Sequence, residues 1–212
     1  MHALTEPLLL AIVLADFAVL ATSRLSACIR ALAVQGALLG VLSVAIDEPI
    51  SLHALVLGAG TIAIKAIALP WFLRWAMREA AVRREVEPAI GYMASLAIGA
   101  VAVGLSFAVA SRLPAATGAG SLVPVAFATL LVGLLVLTTR SKAITQVVGY
   151  LMLENGVYLF GLTQVRRIAF LVEVGVLLDV FVAVFIMGIV VFHINREFDS
   201  ISSANLVELK ES

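Results

Sequence analysis

The sequence predicts an all-α polytopic membrane protein of about seven transmembrane helices. Three observations carry this. Of its 212 residues, 62% are hydrophobic and only 13% are charged. Its mean hydropathy is +1.12. Its apolar residues gather in long runs without two-residue alternation. A soluble domain needs a polar surface, and this composition cannot supply one. In lipid every backbone polar group must be paired internally, which leaves helices or closed barrels. Runs this long without alternation exclude barrel strands.

A helix needs about 20 apolar residues to cross the hydrocarbon core. Seven runs qualify, at roughly 5–22, 25–46, 52–77, 88–110, 121–139, 143–163 and 168–194. The breaks are polar. Asp47-Glu48-Pro49 reads as a tight turn. The segment from Arg74 to Pro88 carries charges of both signs and reads as a solvated loop. SRLPAATGAGS favours an irregular connection, and the chain from Phe198 is a polar tail. The opening MHALTEP lacks the basic region of a signal peptide, so the first apolar run reads as retained.

Lys and Arg set the expected orientation. One side receives Arg24, Arg74, Arg78, Arg83, Arg84, Arg140, Lys142, Arg196 and Lys210, and the other only Arg112, Arg166 and Arg167. The positive-inside rule places the first side in the cytoplasm, with the N-terminus outside and the C-terminus inside.

A faint tandem repeat of three-helix units is also present. A shift of 118 positions lays Ser23-Arg24 on Ser141-Lys142 and Arg78-Glu79 on Arg196-Glu197. The organisation expected is an N-terminal three-helix unit over 1–84, a linking helix and loop over 85–120, a C-terminal three-helix unit over 121–197 and a tail over 198–212.

Ionisable residues inside these runs are the functional candidates. Lys65, Glu154 and Asp179 fall near the centres of the third, sixth and seventh runs, within about one helical turn (~5.4 Å) of one depth. Each would cost about 2.5–3.5 kcal/mol at the bilayer centre unless it faced a partner or water. Intramembrane acids and lysines commonly mark ion pathways, so the three read as a proton relay. A static ion pair that registers helices is the competing reading. Gln146, Tyr150, Glu154 and Tyr158 are spaced by four and form one helical stripe able to support the carboxylate. Pro70 cannot donate to the carbonyl of Ala66, so the third helix should kink beside Lys65. Glu173 stands roughly 9 Å from Asp179 along the axis, either as an exit group of the relay or as a snorkelling end residue. Asp16 in the first helix either joins the relay or bonds the local backbone. Arg30 snorkels to the surface.

Other chemistry finds no residues. The lone Cys28 excludes disulfides and Cys-ligated clusters. His2, His53 and His193 are dispersed, so no haem is expected. No cofactor, phosphate or metal motif appears, and no nucleophile has a base. Zero net charge gives no sign of a nucleic-acid partner.

RSKAITQVVGYLMLENGVYLFGL followed by EVGVLLDVFVAVFIMGIVV resembles the C-terminal half of the hydrogenase-4 component E family, and KAIALPWFLR resembles a further segment of it. That family comprises membrane subunits of group 4 [NiFe]-hydrogenases and formate hydrogenlyase-type complexes. The last three helices are also similar to the three-helix subunit K of respiratory complex I and to its counterpart in Mrp-type antiporters. In those proteins the third-helix glutamate matches Asp179. The second-helix glutamate falls on Leu151, with Glu154 three residues later on nearly the same face. In the N-terminal repeat Gly36 and Thr61 occupy the positions of Glu154 and Asp179, with Lys65 one turn beyond.

The resemblance implies a non-catalytic subunit of a redox-driven, proton- or sodium-translocating complex in the cell inner membrane. Its partners would be antiporter-like membrane subunits and a peripheral hydrogenase or dehydrogenase. The rival readings are an assembly scaffold, a subunit of an Mrp-type antiporter and an independent small-solute or ion transporter.

Overall fold

The computed structural model describes residues 2–47, 50–79, 90–113, 120–164, 179 and 181–188. All regular elements among them are helical: α1 (His2–Ala21), α2 (Leu25–Ala45), α3 (Leu52–Thr61), α4 (Leu69–Glu79), α5 (Tyr92–Ala110), α6 (Leu122–Thr139) and α7 (Ala143–Gln164). Residues 181–188 are helical as well. A π-helical segment, Ile62–Ala68, joins α3 to α4, so the two run as one span from Leu52 to Arg78. This span, α1, α2, α5 and α6 are the five stretches long and apolar enough to cross a membrane among the described residues. The expected all-α polytopic membrane fold is what forms. The seventh expected run, 168–194, lies outside the described residues except for 179 and 181–188. Glu48-Pro49 and most of the Arg74–Pro88 loop lie outside them too.

Capping explains several boundaries. The Ser51 hydroxyl accepts from the Ala54 backbone N–H at 3.1 Å and opens α3. Asp47 accepts from the Ser51 backbone N–H at 3.1 Å and holds the turn before it. Gly120 precedes α6 with φ of 52°, a left-handed conformation that favours glycine.

The expected kink at Pro70 takes a different form. The bond geometry relaxes as the π segment one turn earlier, with the Leu69 N–H donating to the Ile64 carbonyl five residues back. Proline supplies no N–H to continue the α pattern, and a wider turn absorbs the misfit.

The helices pack unequally. α6 buries 56% of its span and α5 only 22%, so α6 is central and α5 is peripheral. Lipid tails are as apolar as leucine, so close helix contact in a bilayer depends on small residues. A Cβ on Gly156 would lie 2.6 Å from the Leu130 backbone nitrogen, and Gly133 and Gly149 abut the backbones of Leu153 and Leu137. These three glycines bring α6 and α7 into backbone contact. Gly40 and Gly58 do the same for α2 and α3, where a Cβ on either would lie 2.7 Å from the other's carbonyl oxygen.

Two apolar clusters result. One gathers Val19, Leu20, Ile29, Leu73, Val136 and Val148 toward one end of the bundle. The other gathers Leu9, Ile12, Leu39, Leu42, Val125 and Leu159 toward the opposite end. Asp16, Gln35, Thr129 and Asn155 each lie in sequence between members of the two clusters. The bundle is therefore layered, with a thin polar stratum between two apolar ones.

Candidate functional site

The polar stratum holds two hydrogen-bonded centres. In the first, Lys65 leaves the π segment and its Nζ donates to Glu154 Oε2 and to Asp179 Oδ1, the latter at 3.1 Å. The three side chains are at most 5% exposed. Close approach of α2 makes this possible. A Cβ on Gly36 would meet the Lys65 backbone at 2.7 Å, so glycine at 36 lets the helices approach where the amine departs. The Lys65 ammonium also lies 5.6 Å from the Tyr158 ring centroid, within cation–π range. The Tyr158 hydroxyl pairs with Thr61 Oγ1 at 2.8 Å. Glu154 keeps its second oxygen, Oε1, buried and without a hydrogen-bond partner among the described residues.

An ammonium between two carboxylates is a competent place to bind a proton. Lys65 compensates one carboxylate but not both. The unpartnered Oε1 can take the proton without breaking the Lys65 bond to Oε2.

The second centre surrounds Asp16. Gln35 Nε2 donates to Asp16 Oδ1 at 2.7 Å, and Thr129 Oγ1 donates to Oδ2 at 2.8 Å. Asn155 Nδ2 donates to Gln35 Oε1 at 3.0 Å. All four side chains are fully or nearly buried. Asn155 is the neighbour of Glu154, so α7 supplies adjacent residues to both centres. Helix pairing positions this group: Thr129 on α6 and Asn155 on α7 face inward beside the glycine contacts.

Lys65, Glu154 and Asp179 are brought together, with Tyr158 against the amine. Tyr150 is half-buried and lines an apolar cleft with Leu137, Val147, Phe181 and Phe185. Gln146 is exposed, and its amide donates to the Arg140 carbonyl at 3.1 Å. It therefore caps the end of α6, and it lines the same cleft as Tyr150. The four-residue spacing drifts around the helix, so the stripe passes from surface to core over three turns. Glu173 lies outside the described residues. Asp16 meets side chains from two other helices and not its local backbone. Arg30 is exposed, as a snorkelling residue should be.

Sequence reading missed Gln35, Thr129 and Asn155. Neutral polar residues in apolar helices carry a weak signal, since a hydroxyl can satisfy itself on its own helix, as Ser106 does on the Ala102 carbonyl. Gln35 and Asn155 were detectable because a side-chain amide cannot hide this way. Arg140 was also expected in a loop. It is 2% exposed, its Nη2 reaches the Leu20 carbonyl at 3.4 Å, and it lies 5.6 Å from the Tyr92 ring centroid.

No metal-ligating group of three or more His, Cys, Asp or Glu residues occurs among the described residues. No family model and no solved structure matches the chain. Hydrogenase-4 component E of Escherichia coli K12 is 33% identical over 99 residues, which are 47% of this chain and 46% of that protein. Hydrogenase-4 component E of Shigella flexneri gives the same figures. A Mycobacterium tuberculosis protein described as uncharacterized, Rv0085, is 34% identical over 206 residues, covering 94% of this chain and 93% of its own length. The similarity to hydrogenase-4 component E is thus partial, whereas over nearly its full length the chain belongs to the family of the mycobacterial protein Rv0085.

Proposed function

We propose that the chain is an integral membrane subunit of a redox-driven, ion-translocating complex of the hydrogenase type. Glu154 and Asp179 serve as protonatable groups, with Lys65 as their electrostatic partner. Glu173 takes part as an exit group beyond Asp179. The observation that carries this reading is the Lys65 ammonium placed between two buried carboxylates, one of which keeps an unpartnered oxygen. A packing device alone needs only one acid per amine. The surplus acid supplies a site that alternates between protonated and ionised forms as charge changes nearby. The partial similarity to hydrogenase-4 component E supports a hydrogenase-type complex as the setting.

In this reading the redox chemistry belongs to partner subunits, a peripheral hydrogenase or formate hydrogenlyase-type module and antiporter-like membrane subunits. The C-terminal helices act as a counterpart of complex I subunit K and of the matching three-helix protein in Mrp-type antiporters. The N-terminal unit is a scaffold that contributes Lys65. The chain lies in the inner membrane with its basic side in the cytoplasm, its N-terminus outside and its C-terminus inside.

Glu154→Gln in the assembled complex, with ion pumping measured separately from electron transfer, tests the relay. Pumping should fall about a hundredfold, at the low end of what a positioned acid–base group contributes, while the complex still assembles. Unchanged pumping rules the relay out. A scaffold role is the second reading, favoured by the way Lys65 ties its own helix to α7 and to the segment at 179. Under it, Glu154→Gln impairs assembly and leaves the pumping-to-electron ratio of whatever assembles unchanged.

A further inference from the structure

The buried charges do not balance. One amine, Lys65, shares the polar stratum with three carboxylates, Glu154, Asp179 and Asp16. With every acid ionised the stratum would carry a net charge of minus two in a medium that solvates charge poorly. Lys65 is engaged by Glu154 and Asp179, so Asp16 receives no cation from it. Its hydrogen-bonding partners among the described residues are Gln35 and Thr129, both neutral.

Among the described residues, the helices packed around Asp16 supply no counter-ion to it. α6 has no titratable residue, and α5 has only Tyr92 at its first turn, against Arg140. α2 offers buried Cys28 and exposed Arg30. α7 offers Tyr150, Glu154 and Tyr158. The α1 titratable groups besides Asp16 are His2 and Glu6, at least two turns away in sequence. An uncompensated buried carboxylate resolves its cost by taking a proton.

The bonding around Asp16 suits both states. Ionised, it accepts from Gln35 and Thr129. Protonated on Oδ2, the acid donates to Thr129 Oγ1, since a hydroxyl accepts as well as donates. The Gln35 bond to Oδ1 persists. The exchange is one proton added to one carboxylate.

We propose that Asp16 is a second proton-binding site, and that its occupancy is coupled to the charge of the Lys65 centre. The Gln35–Asn155 amide pair spans the two, since Asn155 is covalently next to Glu154. Side-chain amides conduct protons poorly, so the coupling is electrostatic and no proton travels along them. Asp16 holds its proton whether or not the chain takes part in ion translocation.

Infrared spectroscopy of the purified full-length chain in lipid vesicles reads this through the carbonyl stretch of protonated carboxylic acids, followed against pH. Asp16→Asn should remove one band. Glu154→Gln removes negative charge nearby, so the remaining Asp16 band should titrate about one pH unit lower, the scale for charges roughly 10–15 Å apart in a weakly screening interior. Thr129→Val deletes a donor that favours the ionised form and should raise the same midpoint. It also keeps the test open if Asp16→Asn does not fold. Asp16→Asn with every band intact overturns the proposal, as does an Asp16 midpoint unmoved by both other variants. Normal band behaviour with unaltered pumping in Glu154→Gln would overturn the functional reading alone.

Discussion

The two polar centres share a depth and a helix, α7, yet they are built on opposite rules. The Lys65 centre compensates charge with charge and leaves one carboxylate oxygen unpartnered. The Asp16 centre compensates charge with neutral donors and leaves no side-chain oxygen of its carboxylate unpaired. Buried polar networks are stable when every member is satisfied, and vulnerable where one is not. The comparison therefore separates a centre that can take a proton only by turning an existing hydrogen bond round from one that keeps a carboxylate oxygen free for it among the described residues. A sequence hydropathy profile does not distinguish them, because both are interruptions in apolar helices.

The strongest way to break the comparison is Lys65→Met. It leaves Glu154 and Asp179 facing each other without their cation, and removing one partner of a buried ion pair costs about 3–5 kcal/mol. Thermal unfolding in detergent should show a large loss, recovered in part when Glu154→Gln is added. Next is Gly156→Leu. Its side chain cannot fit against the Leu130 backbone, and overpacking at such a contact costs about 1–3 kcal/mol. Because α6 and α7 carry Thr129, Glu154 and Asn155, this wedge should disturb both centres together in hydrogen exchange. Gln35→Leu should cost about 1–3 kcal/mol by stranding Asn155 and one Asp16 oxygen, while the Lys65 centre keeps its bonds. Tyr158→Phe removes the hydroxyl that pairs with Thr61, about 1 kcal/mol by the same unfolding measurement. Gln146→Ala at the exposed α6 end should stay within about 0.5 kcal/mol of the parent protein.

Much of the architecture is legible in the sequence because the bilayer simplifies the problem. Run length reports spans directly, and α1, α2, α5 and α6 begin and end within a few residues of the runs. Lys65, Glu154 and Asp179 were legible for the same reason: an isolated charge in an apolar helix has few permissible locations. What was not legible depends on rotation about helix axes. Gln146 shares the four-residue spacing of Glu154 but ends on the outer surface. Gln35, Thr129 and Asn155 come from three helices, and nothing in their local sequence announces that they converge. Pro70 forecast a distortion, but not that it would spread as a wider turn through Ile62–Ala68.

That wider turn also separates two phases of one span. An α-helix advances each residue by about 100° around its axis, and a π turn accommodates one residue more than the regular winding. The extra residue sets the azimuth of Leu69–Glu79 independently of Thr61 and the start of the span. Leu69, Leu73 and Ala76 face the core beyond the wider turn. Deleting a single residue between Ala66 and Ala68 would close the span into regular α winding and leave the lower segment facing as it does, whereas inserting one there would exceed what the wider turn absorbs and swing that segment by about 100°. Trp71 or its neighbours would then replace the leucines at the interior, while the amine above would keep its bearing.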